Sequence, residues 1–184
     1  MGKEIMKTIL KSVFVILALA MLSGCAITNK YGPYMGKVVD KETNEPIDGA
    51  VVFMRFYTEG MYSVSQFENA VEFLSDKNGE FKIPPQRIVT FKILSWWDER
   101  PSVIIFKPGY GAYPGHQDSS ISRKNWGASP DKEPVTVTLP RLKTRKERKD
   151  NLGNLWAGSG VPQEKYKILN TMKSKERTEI GLKP

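Results

Sequence analysis

The sequence predicts a mainly β protein, a seven-stranded antiparallel sandwich followed by a short α-helical C-terminal extension. Two observations carry the β part. Between Gly36 and Tyr110, apolar residues recur at period two in short runs, and clusters rich in Gly, Pro, Asn and Asp separate those runs. A third observation bounds it: past Pro140 the apolar residues fall at helical spacing and the charge balance changes.

The chain opens with a segment of another kind. Lys3, Lys7 and Lys11 give a positive start, and Val13 to Leu22 is an unbroken apolar run of ten residues. A helix needs roughly 20 apolar residues to span a hydrocarbon core. A charged start, a short apolar stretch and small residues after it read as a cleavable export signal over residues 1–24. A buried helix, or the signal of a soluble protein, with an accidental cysteine is the alternative. The run ends Leu22-Ser23-Gly24-Cys25, which resembles the lipobox of bacterial lipoproteins. That resemblance implies cleavage before Cys25 and lipidation of Cys25 with a diacylglycerol and an amide-linked chain such as palmitate. It thus implies a membrane partner reached through Cys25. Cys25 is the only cysteine, so no intramolecular disulfide can form, and acylation removes a reactive thiol from an exported protein. One acyl chain holds marginally, whereas two or more hold stably. Ala26 follows the cysteine where enterobacterial sorting rules place Asp for inner-membrane retention. The resemblance therefore favours the periplasmic face of the outer membrane.

Residues 25–184 suffice for one domain plus an appendage. From Cys25 to Pro140, 13 Lys/Arg stand against 14 Asp/Glu; from Arg141 to Pro184 the balance is 12 against 5. The basic character belongs to the tail, and no nucleic-acid footprint covers the sandwich.

In chain order, residues 25–33 read as a polar, turn-prone tether, and Tyr34 to Asp40 as the first strand. Asn44, Pro46 and Asp48 then supply turn geometry. Ala50, Val52, Met54 and Phe56 alternate with Val51, Phe53 and Arg55, so one face points to a core while the other is still fairly apolar. Met61 to Gln66 and Ala70 to Leu74 follow as two strands joined by a polar bend at Glu68-Asn69. Asp76-Lys77-Asn78-Gly79 is a type I turn with a bulge, because Asp caps the first position and Gly accepts positive φ at the last. Phe81 and Ile83 share one face of a strand that Pro84-Pro85 ends. Arg87 to Leu94 and Ser102 to Lys107 are two further strand-like runs.

Four pieces stand in a telling order: Gly36-x-Val38-x-Asp40, Pro46-Ile47-x-Gly49-Ala50-x-Val52, Asp76-x-x-Gly79-x-Phe81 and Lys107-Pro108-Gly109-Tyr110. Together they resemble carboxypeptidase regulatory-like domains, which are transthyretin-like (prealbumin-like) sandwiches of Ig-like build. The resemblance covers about residues 34–140, with the last strand at Val135 to Leu139. It implies an accessory or binding module rather than a catalytic one. Residues 108–133 exceed the minimal family pattern, and a connection of that length is either poorly ordered or a binding loop.

In the extension, residues 141–184, Leu152, Leu155 and Trp156 are spaced i, i+3, i+4, and Gly158-Ser159-Gly160 interrupts them. Pro162 suits the first turn of a second helix, along which Tyr166, Leu169 and Met172 form a stripe. Two short amphipathic helices are expected, docked on the sandwich or loosely attached to it.

Candidate sites are few. His116 is the only histidine, so a zinc site with two histidines and a carboxylate is excluded, and His116 reads as a solvated loop residue. Asp76-x-Asn78-Gly79-Glu80 lacks the ligand frame of an EF-hand. No second histidine or nucleophile motif suggests a triad. No catalytic residue, metal or cofactor is expected. Trp96, Trp97, Tyr110, Tyr113 and Trp126 form the aromatic set with potential to bind a ligand, by stacking on sugars or peptides; core packing is the competing reading. Adjacent Trp96 and Trp97 must point to opposite faces of a strand, one to the core and the other to solvent or the tail helices. Arg141, Lys143, Arg145, Lys146, Arg148 and Lys149 form a basic run, read either as a solvated helix face or as a contact for anionic lipid or an envelope polymer. The sequence as a whole reads as a non-catalytic, lipid-anchored protein of the cell envelope, structural or ligand-binding, with an envelope polymer, anionic lipid or envelope protein as partner. A carbohydrate-binding module, favoured by an exposed Trp97 or Trp126 beside a groove, and an accessory subunit of an envelope-polymer hydrolase are the alternatives.

Overall fold

The computed structural model describes residues 2–23, 26–60, 63–91, 95–98, 101–122 and 134–183. Within them α1 (Gly2–Ser23) precedes β1 (Ala26–Tyr31), β2 (Tyr34–Asp40), β3 (Val51–Gly60), β4 (Ser63–Leu74), β5 (Glu80–Ile83) and β6 (Gln86–Phe91). Then come β7 (Ser95–Trp97), β8 (Ser102–Phe106), β9 (Ser120–Ile121), β10 (Val135–Leu139), α2 (Arg145–Asn151) and α3 (Lys167–Glu179). The protein is mainly β with a short helical C-terminal part, as expected. Its described residues nevertheless form ten strands rather than seven, and one of the sheets is mixed rather than antiparallel.

One sheet has the order β5-β2-β10-β9, with β10 running parallel to β2 from Val135↔Gly36 to Leu139↔Asp40. In the other sheet β3 is the hub: β4 pairs along one edge, while β8 and β7 share the other edge end to end. A two-stranded ribbon, β1 with β6, completes the β part. The bounds of β2 and β10 match the expectation because alternating β-branched residues and flanking turn signals agree there.

All six residues from Val51 to Phe56 are buried, and this dictates the layering. Val52, Met54 and Phe56 face a core shared with Val38, Phe81, Ile83, Val137 and Leu139 of the other sheet. Val51 and Phe53 face the opposite way, into a second core with Leu152, Leu155, Leu169 and Ile180 of the tail. A strand apolar on both faces must be covered on both. Each large apolar side chain so buried contributes about 1.5–3 kcal/mol, so the tail is a third layer rather than an appendage.

Four expectations change. Residues 25–33, expected as a tether, contain β1, which pairs along its whole length with β6. Tyr31 at its end is buried, its ring centroid 4.7 Å from that of Phe56, and its hydroxyl donates to the Asp98 carbonyl at 2.6 Å. Burial pushes that phenol up to about 12. The sequence hides this strand because its outward positions are polar. The two strands expected between 61 and 74 are one, β4, and the Glu68-Asn69 bend is a bulge where the register slips between Phe56↔Asn69 and Tyr57↔Phe67. Short strands β7 and β9 were too brief to announce themselves by period. The first tail helix stops at Asn151, and Leu152 and Leu155 lie in and just after a 3-10 turn. The second expected helix begins as a 3-10 turn after Pro162, with α3 proper starting at Lys167.

The Asp76 turn forms as expected. Asp76 Oδ1 accepts from the amides of Asn78 and Glu80, both at 2.9 Å. Gly79 has φ +75°, and a Cβ there would lie 2.4 Å from the Val38 carbonyl oxygen, so only glycine lets the turn touch β2.

Candidate functional site

Two of the family-like motifs converge at one end of the sandwich. Asp40 ends β2, and Tyr110 ends the Lys107-Pro108-Gly109-Tyr110 turn after β8. Asp40 is buried, and its Oδ1 accepts from the amides of Glu42 (2.8 Å) and Thr43 (3.2 Å). Its Oδ2 accepts from Arg141 Nε at 3.3 Å. Burial alone would raise the Asp40 pKa; the two amides and the guanidinium outweigh it and hold the carboxyl below its ordinary value. Arg141 Nη2 donates to the Tyr110 hydroxyl at 2.7 Å, and its guanidinium carbon lies 5.3 Å from the centre of that ring.

Beside this cluster is an open depression of about 470 Å³, lined by Lys41, His116, Asp118, Arg141, Lys143 and Glu147 among others. Its cations are already matched: Lys41 with Asp118 at 3.1 Å, Lys143 with Glu42 at 3.4 Å, and Arg141 with Asp40. Glu147 is engaged by the amides of Lys143 and Thr144 as the capping box of α2. His116, expected as a solvated loop residue, is half-buried, and its Nδ1 accepts from the Asp118 amide at 3.2 Å. That bond places the imidazole proton of the neutral ring on Nε2. The nearby Ser119 hydroxyl donates to the carbonyls of His116 and Ala112 rather than to the ring, so the pair is not arranged as nucleophile and base. Among the described residues no group of His, Cys, Asp and Glu is placed to hold a metal ion.

The described members of the aromatic set lie at two places in the fold. Trp97 is half-buried and packs on the sandwich core, edge-on to Tyr31 at 5.9 Å, whereas Trp96 is 49% exposed and donates Nε1–H to Glu59 at 3.2 Å. That split is the one expected of neighbours in a strand. Tyr110 and Tyr113 follow β8, which pairs with the start of β3, while β7 pairs with its end. By register Tyr113 is level with Val52 and Trp96 with Glu59, which puts about 23 Å of strand between the two places. Trp126 and Cys25 lie outside the described residues, as does 123–133 of the long segment. The rest of that segment, through Ser122, is bonded to the body by Tyr113 on Ile105 and by β9 on β10.

The basic run lies mostly on the surface: Arg141, Lys143, Arg145, Lys146 and Lys149 are exposed, and only Arg148 is part-buried. Beyond Arg141 and Lys143, Arg145 Nε donates to the Ile180 carbonyl at 2.8 Å and Lys146 pairs with Asp150 at 2.7 Å. Arg148 grips the fully buried Glu176 through Nε at 2.8 Å and Nη2 at 2.7 Å, and reaches Glu179 at 2.6 Å. These bonds raise the Arg148 pKa further. Lys149 has no ion-pair partner among the described residues.

Polar side chains unmarked by the sequence motifs lock the tail to the sandwich. Glu176 Oε2 also accepts from the Gly109 amide at 2.8 Å. Buried Asn151 accepts from the Ala112 amide at 3.0 Å and donates to the Tyr110 carbonyl at 3.1 Å, so the tail clasps the Lys107–Tyr110 turn. Glu72 on β4 accepts from the amides of Ile168 (2.9 Å) and Leu169 (2.7 Å), capping α3 from another element. Arg55 on β3 donates to the carbonyls of Trp156 (3.3 Å) and Ala157 (2.9 Å). An arginine inside an apolar strand was the one visible sign of these locks. No family model, no curated protein and no solved structure matches this chain.

Proposed function

We propose that this is a lipid-anchored protein of the cell envelope, cut before Cys25 and acylated there, whose body is a transthyretin-like, Ig-like sandwich. Its role on this reading is non-catalytic, a structural or ligand-binding module held on the periplasmic face of the outer membrane. One observation carries the proposal. The apolar side chains Ile5, Met6, Ile9, Leu10, Val13, Phe14 and Val15 of α1 are 50–74% exposed, and the helix ends at Ser23, two residues before Cys25. Apolar side chains left in solvent, as over residues 5–15, add nothing to the core. No helix among the described residues is long and apolar enough to cross a membrane, which suits a short signal better than a permanent span. The fold reading draws on the order of the four motifs and on the core shared by two sheets. Replacing Cys25 by Ala tests the anchor: metabolic fatty-acid labelling should vanish and the protein should leave the membrane fraction. A labelled, membrane-bound Cys25→Ala protein would end the lipoprotein reading.

A further inference from the structure

Strand β1 starts at Ala26, directly after Cys25, so on the lipid-anchor reading no linker separates the acylated residue from the folded body. The ribbon β1–β6 must then lie at the bilayer surface. Its outward face is set by register: Ala26 stands opposite Phe91, Thr28 opposite Val89, and Lys30 opposite Arg87. Phe91 is 77% exposed and Val89 47%, whereas Ile88 and Thr90, which alternate with them, are buried. The largest exposed apolar side chain of the ribbon thus sits beside the residue that follows the anchor. Four residues farther along β1, about 13 Å at strand rise, two cations face each other across the ribbon. Like charges directly opposite in a sheet repel, and neither Lys30 nor Arg87 has an ion-pair partner among the described residues. An apolar tip at the anchor and an uncompensated cation pair behind it match the order of acyl chains and anionic headgroups in a bilayer.

We propose that the outward face of the β1–β6 ribbon is a membrane-contact surface: Phe91 enters the acyl boundary next to the lipid anchor, and Lys30 and Arg87 lie on anionic headgroups. The inference rests on the lipid-anchor reading and adds to it an orientation. The body stands on this ribbon, and α3, on the opposite face of β3, points away from the bilayer.

Acylation of Cys25 leaves a thiol introduced elsewhere as the sole reactive one, which makes the test clean. Phe91→Cys, Val89→Cys and, as a control, Thr171→Cys on exposed α3 are labelled with an environment-sensitive fluorophore. The full, processed chains are then reconstituted into phosphatidylethanolamine–phosphatidylglycerol vesicles with brominated acyl chains. Labels at 91 and 89 should shift to the blue and lose most of their emission to bromine, with 91 the more strongly quenched; the label at 171 should do neither. Lys30→Gln combined with Arg87→Gln should lessen the quenching at 91 in these vesicles and leave it unchanged where phosphatidylcholine replaces the anionic lipid. Solvent-like emission at both 91 and 89 from vesicle-bound chains, with intact mass showing acylated Cys25, overturns the contact surface and leaves the anchor standing. An unacylated Cys25 overturns both.

Discussion

Replacing Glu176 by Ala should loosen the tail from the sandwich. Glu176 is fully buried, and its carboxylate accepts three bonds: two from Arg148 and one from the Gly109 amide. Truncation leaves a guanidinium that is only 20% exposed with Glu179 as its remaining partner, and it orphans a backbone donor in the Lys107–Tyr110 turn. Breaking a buried ion pair from one side costs about 3–5 kcal/mol. Because Glu179 and some solvent still serve Arg148, the lower end applies, about 3 kcal/mol. For a chain of this size that is a fall of about 6–12 °C in Tm. Glu176→Gln keeps the volume but turns an amide N–H toward the guanidinium, so it should recover only part of the loss. Urea unfolding followed by tryptophan emission measures the difference. Hydrogen exchange at Gly109 reports the local opening. Lys149→Ala, an exposed site, should change stability by no more than about 0.5 kcal/mol. If Glu176→Ala were as silent as Lys149→Ala, the tail would not be a structural layer held by this contact.

Other perturbations have equally definite outcomes. Phe81→Ala removes a side chain 4% exposed in the shared core and should cost about 3–5 kcal/mol in the same unfolding assay; a loss under about 1 kcal/mol would contradict the packing. Glu72→Ala removes the cap of α3 and should cost about 0.5–2 kcal/mol, with faster exchange at Ile168 and Leu169; unchanged exchange there would rule the cap out. The Asp40 carboxyl lies below its ordinary 3.8 in the folded state, so its contribution is present above that value and is lost as pH falls through the folded pKa. Asp40→Asn should therefore flatten the loss of stability below about pH 4, and an unaltered acid limb would show that the Arg141 and amide contacts do not act on it.

Much of the β scaffold was legible because local signals agree with the tertiary demand. Val38 and Val39 before a turn, the Asp76–Gly79 turn, and Val135 to Leu139 each combine period two with flanking punctuation. The continuous burial of Val51 to Phe56 was visible as a second apolar face, but what covers it lies 100 residues on and leaves no local trace. Strand β1 escaped because Thr28 and Lys30 face outward and only Tyr31 among its described side chains is buried. In the basic run, five of the six residues are exposed and Arg148 is part-buried. Charge counted along a sequence does not tell solvated cations from those, such as Arg148, that a buried carboxylate already holds. Neutralising the whole run would therefore strip a structural contact along with surface charge. Nor does the sequence show that Trp96 and Tyr110 belong to opposite ends of β3.

The central claim is that the mature chain begins at an acylated Cys25, and the intact mass of the protein extracted from membranes tests it most directly. The account predicts a polypeptide of residues 25–184 carrying the added mass of a diacylglycerol and an amide-linked acyl chain, with no free thiol. A chain that retains residues 1–24, or one that begins at Cys25 with an unmodified thiol, would contradict it.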